Sequence, residues 1–194
     1  MKFISLDCST TCIGWAVFEE DNLIQYGRLE PTEKGLDWQD RVHNLLPQLE
    51  QLLKKYQPSK IYQEDVPSII KKGERVTFLK ALGGDVTALY KLAYAQGCLS
   101  VIQRKYCEVE YICVGTWRKN IGINDGKDQR RDAKKIKSIE KANELFNINL
   151  PLEFTSGGNY KPCGSDDISD AILLFASTRD KYKVKVKSFG KGVK

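Results

Sequence analysis

Ile4-Ser5-Leu6-Asp7-Cys8-Ser9-Thr10-Thr11-Cys12-Ile13-Gly14-Trp15-Ala16 begins as an apolar run, breaks at an aspartate and resumes after a short polar turn. The apolar stretches on either side read as strands over residues 3–8 and 12–19. A third over 23–29 follows the Asp21-Asn22 turn signal, so the chain opens as an antiparallel meander. Asp7 is the anomaly in that reading. An ionised carboxylate on a core-facing strand costs several kcal/mol unless something positive meets it.

Outward from the meander, Trp38, Val42, Leu45, Leu46, Leu49, Leu52, Leu53 and Tyr56 fall on one stripe of period 3.6, which predicts an amphipathic helix kinked or briefly broken at Pro47. Pro58-Ser59 ends it, and residues 60–64 read as a fourth strand. A polar loop with Lys71, Lys72, Gly73 and Arg75 leads to a second helical region, interrupted by Gly83-Gly84 and capped by Asp85. A fifth strand over 109–114 is followed by a short Trp117-bearing segment and a basic helix over 132–146. A Gly/Pro/Asn loop over 149–164 then leads to a last helix opening on Ser165 as N-cap. Strands and helices in this order predict an α/β fold with a mixed five-stranded sheet, three strands antiparallel and two parallel, flanked by helices.

A chain of 194 residues suits one domain, expected over 1–178 with a basic tail over 179–194. No stretch reaches the roughly 20 apolar residues of a membrane-spanning helix, and the opening residues lack a secretory pattern, so a cytoplasmic protein without membrane partners is expected. Six cysteines without a CxxC pair, and a single histidine, His43, exclude an ordinary zinc site and leave reduced, mostly buried thiols. The net charge of +6 resides in the tail; residues 116–142 carry a further +5 and the rest is correspondingly acidic. That asymmetry fits a polyanionic partner, nucleic acid first, or else a solvated helix face with a solubilising tail.

Carboxylates fall at three places where apolar residues would be ordinary: Asp7, the Glu64-Asp65 pair ending the fourth strand, and the helix Ser165-Asp166-Asp167-Ile168-Ser169-Asp170. Asp167 and Asp170 project from one side, while Ile168, Ala171, Ile172 and Phe175 form the expected buried stripe. Favourable placement at a helix start explains Asp166 and Asp167 but not Asp170, a turn further in. If the first and fourth strands are neighbours and the last helix crosses their carboxyl ends, four acids converge and repel one another. Two hard cations roughly 3.5–4 Å apart would turn that cluster into a phosphodiester-cleaving centre, with Mg²⁺ or Mn²⁺ favoured over zinc by the oxygen donors. Strand phase leaves Glu64 and Asp65 as alternatives.

These three stretches, Ile4 to Ala16, Ile61-Tyr62-Gln63-Glu64-Asp65-Val66-Pro67 and Asp167-Ile168-Ser169-Asp170-Ala171-Ile172-Leu173, resemble in order and context the RuvC-like Holliday junction resolvases of the RNase H-like fold, particularly their short bacteriophage versions. The resemblance implies Asp7, Glu64, Asp167 and Asp170 as catalytic, metal-holding residues for two ions. It also implies a homodimer that nicks opposing strands of a four-way junction, leaving 5′-phosphate and 3′-hydroxyl ends, in a host cell's cytoplasm if the protein is phage-encoded. The helix after Asp85, with Ala88, Ala93, Ala95 and Gly97, is the expected dimer contact, or else packs on the sheet of its own subunit. Lys71, Lys72, Arg75, Arg118, Lys119, Arg130 and Arg131 are the expected phosphate contacts. Two departures are visible: Cys8-Ser9-Thr10 stands where bacterial members have a glycine, and Pro67 where they carry a stacking aromatic, a role Phe78 could take.

Three rivals remain at this level. Leu6-Asp7-Cys8-Ser9-Thr10-Thr11 also resembles the phosphate turn of sugar and acetate kinases, but the duplicated domain and second phosphate loop of those enzymes are missing. A non-catalytic branched-DNA-binding protein accounts for the basic segments and leaves Asp7, Glu64 and Asp170 unexplained. The third is another RNase H-like nuclease, acting on RNA:DNA hybrids or on forks and flaps.

Overall fold

In a computed structural model of the chain, residues 1–65, 86–123 and 131–184 are described, without the side chains of Val86 and Arg131. The elements are β1 (Lys2–Cys8), β2 (Ile13–Glu19), β3 (Asn22–Leu29), α1 (Trp38–Tyr56), β4 (Lys60–Asp65), α2 (Val86–Gln103), β5 (Glu108–Cys113), α3 (Val114–Ile121), α4 (Arg131–Phe146), β6 (Glu153–Phe154), β7 (Tyr160–Lys161) and α5 (Ser165–Ala176). The main sheet has the order β3-β2-β1-β4-β5. β1 is antiparallel to β2, β2 to β3, and the pairs β1–β4 and β4–β5 are parallel, which is the mixed sheet expected from the pattern.

Alternation along the strands gives the sheet two apolar faces. Ile4, Leu6, Ile13, Val17 and Ile61 form one core with Leu45, Leu49, Leu52 and Leu53 of α1 and Leu99 of α2. Phe3, Ala16, Phe18 and Tyr62 form the other beneath α5, where the Phe175 ring stacks on Phe18 at 3.7 Å and meets Phe3 and Tyr62 at 5.7 Å. Each large apolar side chain buried this way contributes roughly 1.5–3 kcal/mol. Phe3 and Ser5 point toward α5, and period 2 therefore carries Asp7 to the same side.

Four local expectations are corrected. α1 runs unbroken through Pro47. The carbonyl that loses its donor there belongs to His43, on the exposed side, where water can reach it. The loop over 149–164 contains the small β6–β7 hairpin. The N-cap of α5 is Gly164 at φ +84°, and Ser165 is the first helical residue. The positive φ favours glycine there, and a Cβ would also press on the Arg28 side chain, 2.6 Å from Nη1. Finally, all six cysteines are free, but only Cys12 is fully buried and Cys113 is exposed.

The chain stays packed past residue 178. The Arg179 guanidinium lies 4.4 Å from the centre of the Phe175 ring and 4.6 Å from that of Phe3, with Asp21 at 3.2 Å, and the Val184 amide donates to the Asn120 carbonyl. The loop with Lys71, Lys72, Arg75, Pro67 and Phe78, the Asp85 cap, Arg130 and residues 185–194 lie outside the described residues.

Candidate active site

Leu6 pairs with Gln63 across the parallel β1–β4 ladder, so Asp7 and Glu64 leave their strands at adjacent carboxyl ends. Three contacts assign the phase of β4. Tyr62 belongs to the core under α5, Gln63 accepts from Gln103 of α2, and Asp65 accepts from Gln96 of α2 at 3.5 Å. Glu64, between Gln63 and Asp65, therefore lies on the face of Tyr62 and Asp7, and Asp65 turns the other way.

α5 crosses this end of the sheet at close range. A Cβ on Gly14 would stand 2.1 Å from the Asp167 carbonyl oxygen, so the missing side chain lets the first turn of the helix rest on β2. Asp167 and Asp170 then open, with Asp7 and Glu64, on one cavity of about 280 Å³, whose wall also includes Cys8, Ser9 and Leu92. Asp166 borders the same cavity with both oxygens engaged, by the Tyr160 hydroxyl at 3.1 Å and by Lys135.

The four acids share an electrostatic problem. Burial raises the Asp7 carboxyl well above its usual range, and the charges of Glu64, Asp170 and Asp167 push it further, against a smaller opposing effect of Arg118. Glu64 is pushed up to about 7 by burial and by Asp170. Asp167 and Asp170 are raised too, first by burial.

Compensation reaches only some of them. The Trp117 indole donates to Glu64 Oε2 at 2.9 Å. Arg118 donates to Asp170 Oδ2 at 3.1 Å. Arg28 Nε lies 2.9 Å from Asp167 Oδ2, which also accepts from the Cys12 thiol at 3.2 Å. No described residue forms an ion pair or hydrogen bond with the Asp7 carboxylate. The mutual repulsion expected of the four acids is thus offset in part, since both helix aspartates face an arginine. As they stand, no three His, Cys, Asp or Glu side chains among the described residues converge closely enough to hold an ion.

The donor set nevertheless suits hard cations: carboxylate oxygens from three separate elements around one open cavity. Asp170 Oδ1 is buried without a hydrogen bond of good geometry, although the Ser138 hydroxyl is near enough to favour the charged form.

The basic residues fare unevenly. Arg118, expected at a phosphate, instead points inward to Asp170, while Lys119 next to it is exposed. Arg131 begins α4. Lys71, Lys72, Arg75 and Arg130 fall outside the described residues. Lys134 and Lys135 of α4 border the cavity, and neither was singled out by the sequence pattern. Arg28 was missed as well, and no local signal marks it. Trp117 had one: a large aromatic in a short polar segment between a strand and a basic helix.

No family model and no curated protein matches the chain. Among solved structures it is similar to Thermus thermophilus RuvC in complex with a Holliday junction substrate, at 13% identity and TM-score 0.60 over 91% of this chain and 93% of that one. A second T. thermophilus RuvC structure matches at 13% identity and TM-score 0.55, over 91% of this chain and 94% of that one. The yeast mitochondrial Holliday junction resolvase Ydc2 matches at 14% identity and TM-score 0.55, over 90% of this chain and 76% of that one. At identities this low the likeness establishes the fold: the chain has the RuvC-like, RNase H-like architecture, with its mixed five-stranded sheet and flanking helices.

Proposed function

We propose that the protein is a metal-dependent, structure-selective DNA endonuclease that resolves Holliday junctions and also accepts forks or flaps. One observation carries the reading: Asp7, Glu64, Asp167 and Asp170, from β1, β4 and α5, open on a single cavity at the carboxyl ends of two parallel strands. In this reading the four carboxylates hold two Mg²⁺ or Mn²⁺ ions, whose chemistry supplies an activated water and a steadied leaving oxygen, giving 5′-phosphate and 3′-hydroxyl ends. The residues of the chain position that chemistry. Trp117 orients Glu64, Gly14 seats α5, and Lys134, Lys135 and Lys119 draw phosphates toward the cavity. The RuvC-like fold, shared with structures of junction resolvases, supports the choice of substrate.

The working unit in this proposal is a homodimer joined through α2. That helix carries one charged residue, Lys91, yet leaves Tyr90 60% and Val101 62% exposed, with Ala93 exposed and open space beside Gly97. An apolar helix face that no element among the described residues covers calls for a partner.

A second reading has its own observation. The ion pairs at Asp167 and Asp170 would also suit a branched-DNA-binding protein without catalysis. Purified protein incubated with a labelled four-way junction, a fork and plain duplex, with Mg²⁺ or with chelator, separates them. The nuclease reading expects magnesium-dependent cutting of branched DNA and little of duplex. Equal cutting of all three would remove structure selectivity, cutting that survives chelation would remove the metal centre, and binding without cutting would leave the second reading.

A further inference from the structure

Arg118 and Trp117 are consecutive residues of α3, and each donates to an acid of the cavity, Arg118 to Asp170 and Trp117 to Glu64. We propose that Arg118 is an exchangeable counter-ion: it holds Asp170 while no divalent cation is bound and is released when a cation takes that carboxylate. The inference rests on the metal-centre reading above and adds to it a role for a basic residue expected at DNA.

The geometry of the pair supports exchange over permanence. A guanidinium and a carboxylate can form two parallel hydrogen bonds, but here one forms, Nη2 to Oδ2 at 3.1 Å. Arg118 Nε and Asp170 Oδ1 are both buried without a partner of good geometry, so each side of the pair is left incompletely satisfied. The side chains are only 24% and 15% exposed, and removing either charge alone would leave the other stranded. Ionised Asp170 therefore needs a cation, and Arg118 supplies one that is held by a single bond.

Arg118 differs in this from Arg28, which keeps a second acid, Glu30, at 2.5 Å whether or not Asp167 is taken. Among the described residues Asp170 is the only acid paired with Arg118. A released guanidinium would keep its place against the Trp117 ring, 5.0 Å away.

The test compares Mn²⁺ affinity, read from the free-ion paramagnetic resonance signal, in the wild type, Arg118→Gln and Arg118→Lys. Removing the competing charge should tighten Mn²⁺ binding about tenfold in Arg118→Gln, while Arg118→Lys, which keeps a cation in reach, should stay within about threefold of wild type. A second readout needs no altered fold. The Arg118 guanidinium Nε–H resonance in ¹⁵N-labelled wild type, assigned by its loss in Arg118→Lys, should shift or broaden as Mg²⁺ is added. Unchanged or weaker Mn²⁺ binding in Arg118→Gln, or a guanidinium signal indifferent to saturating Mg²⁺, would overturn the exchange and leave the metal centre standing. A wild type that binds no Mn²⁺ would overturn both.

Discussion

Gly14 of β2 faces the start of α5 so closely that a Cβ on it would stand 2.1 Å from the Asp167 carbonyl oxygen and 3.0 Å from the Asp167 Cβ. The neighbour is backbone, so no rotamer change can relieve the contact and the helix itself must shift. Gly14→Ala is expected to destabilise the fold by about 1–3 kcal/mol or more. It should also move Asp167 and Asp170 together, with loss of cleavage beyond what the stability change explains. Urea denaturation beside junction cleavage measures both; full activity with an unchanged midpoint would show that α5 does not depend on this approach.

Asp7 stands at the centre of the repulsion, with Glu64, Asp167 and Asp170 all raising its pKa. Asp7→Asn removes that charge without changing the side chain's size. The expected outcome is a higher melting temperature in metal-free buffer, because a buried, repelled carboxylate is gone, together with loss of cleavage and retention of junction binding. A lower melting temperature with lost binding would instead assign Asp7 a structural role.

Glu64 titrates at about 7 in the folded protein against an ordinary 4.5. Between those values the folded state binds more protons than the unfolded chain, so stability is present at the acid end and is lost as pH rises. Asp167 and Asp170 shift in the same direction. Metal-free protein is expected to melt higher near pH 5.5 than near pH 8, and added Mg²⁺ should close most of the gap. Calorimetry across that range checks this; a melting point that climbs toward pH 8 without metal would contradict it.

Trp117 is wholly buried and its indole occupies Glu64 Oε2. Trp117→Phe keeps an aromatic ring and deletes the donor. Partners of this kind, which orient a ligand, typically matter ten- to a hundredfold for metal affinity or activity. About that loss in Mn²⁺ affinity is expected, with a stability cost of about 1–2 kcal/mol from the unmade bond and the smaller ring. An affinity equal to wild type would reduce Trp117 to a packing residue.

Val101 on α2 is exposed and belongs to neither buried core. If α2 is the dimer contact, Val101→Asp should give a monomer by light scattering with little change in intrinsic subunit folding. A wild-type protein that is already monomeric at micromolar concentration would remove the α2 contact from the proposal.

The legible part of this molecule is local. The strand over Lys2–Cys8, its turn and its partner over Ile13–Glu19 are written in apolar runs and turn residues, and the 3.6 spacing from Trp38 announces α1. Errors were local too. Ser165 looks like an N-cap by type, but Gly164 takes that place because the chain must turn at positive φ beside Arg28. Pro47 looks like a break, yet five buried residues of α1, Val42, Leu45, Leu49, Leu52 and Leu53, hold the helix across it.

Taken alone, the order of residues determined the mixed sheet and the positions of the unusual acids, because periodicity and turn chemistry depend on neighbours a few residues apart. Which charges meet was decided by the tertiary structure. Glu64 was separated from Asp65 by the contacts of Gln63 and Asp65 with α2. Arg28 reached Asp167 through strand pairing and the close crossing of α5 over Gly14, and Arg118 reached Asp170 through the packing of α3 against α5. Electrostatic partners separated by 50 residues or more are set by how elements dock, and no local pattern encodes that distance.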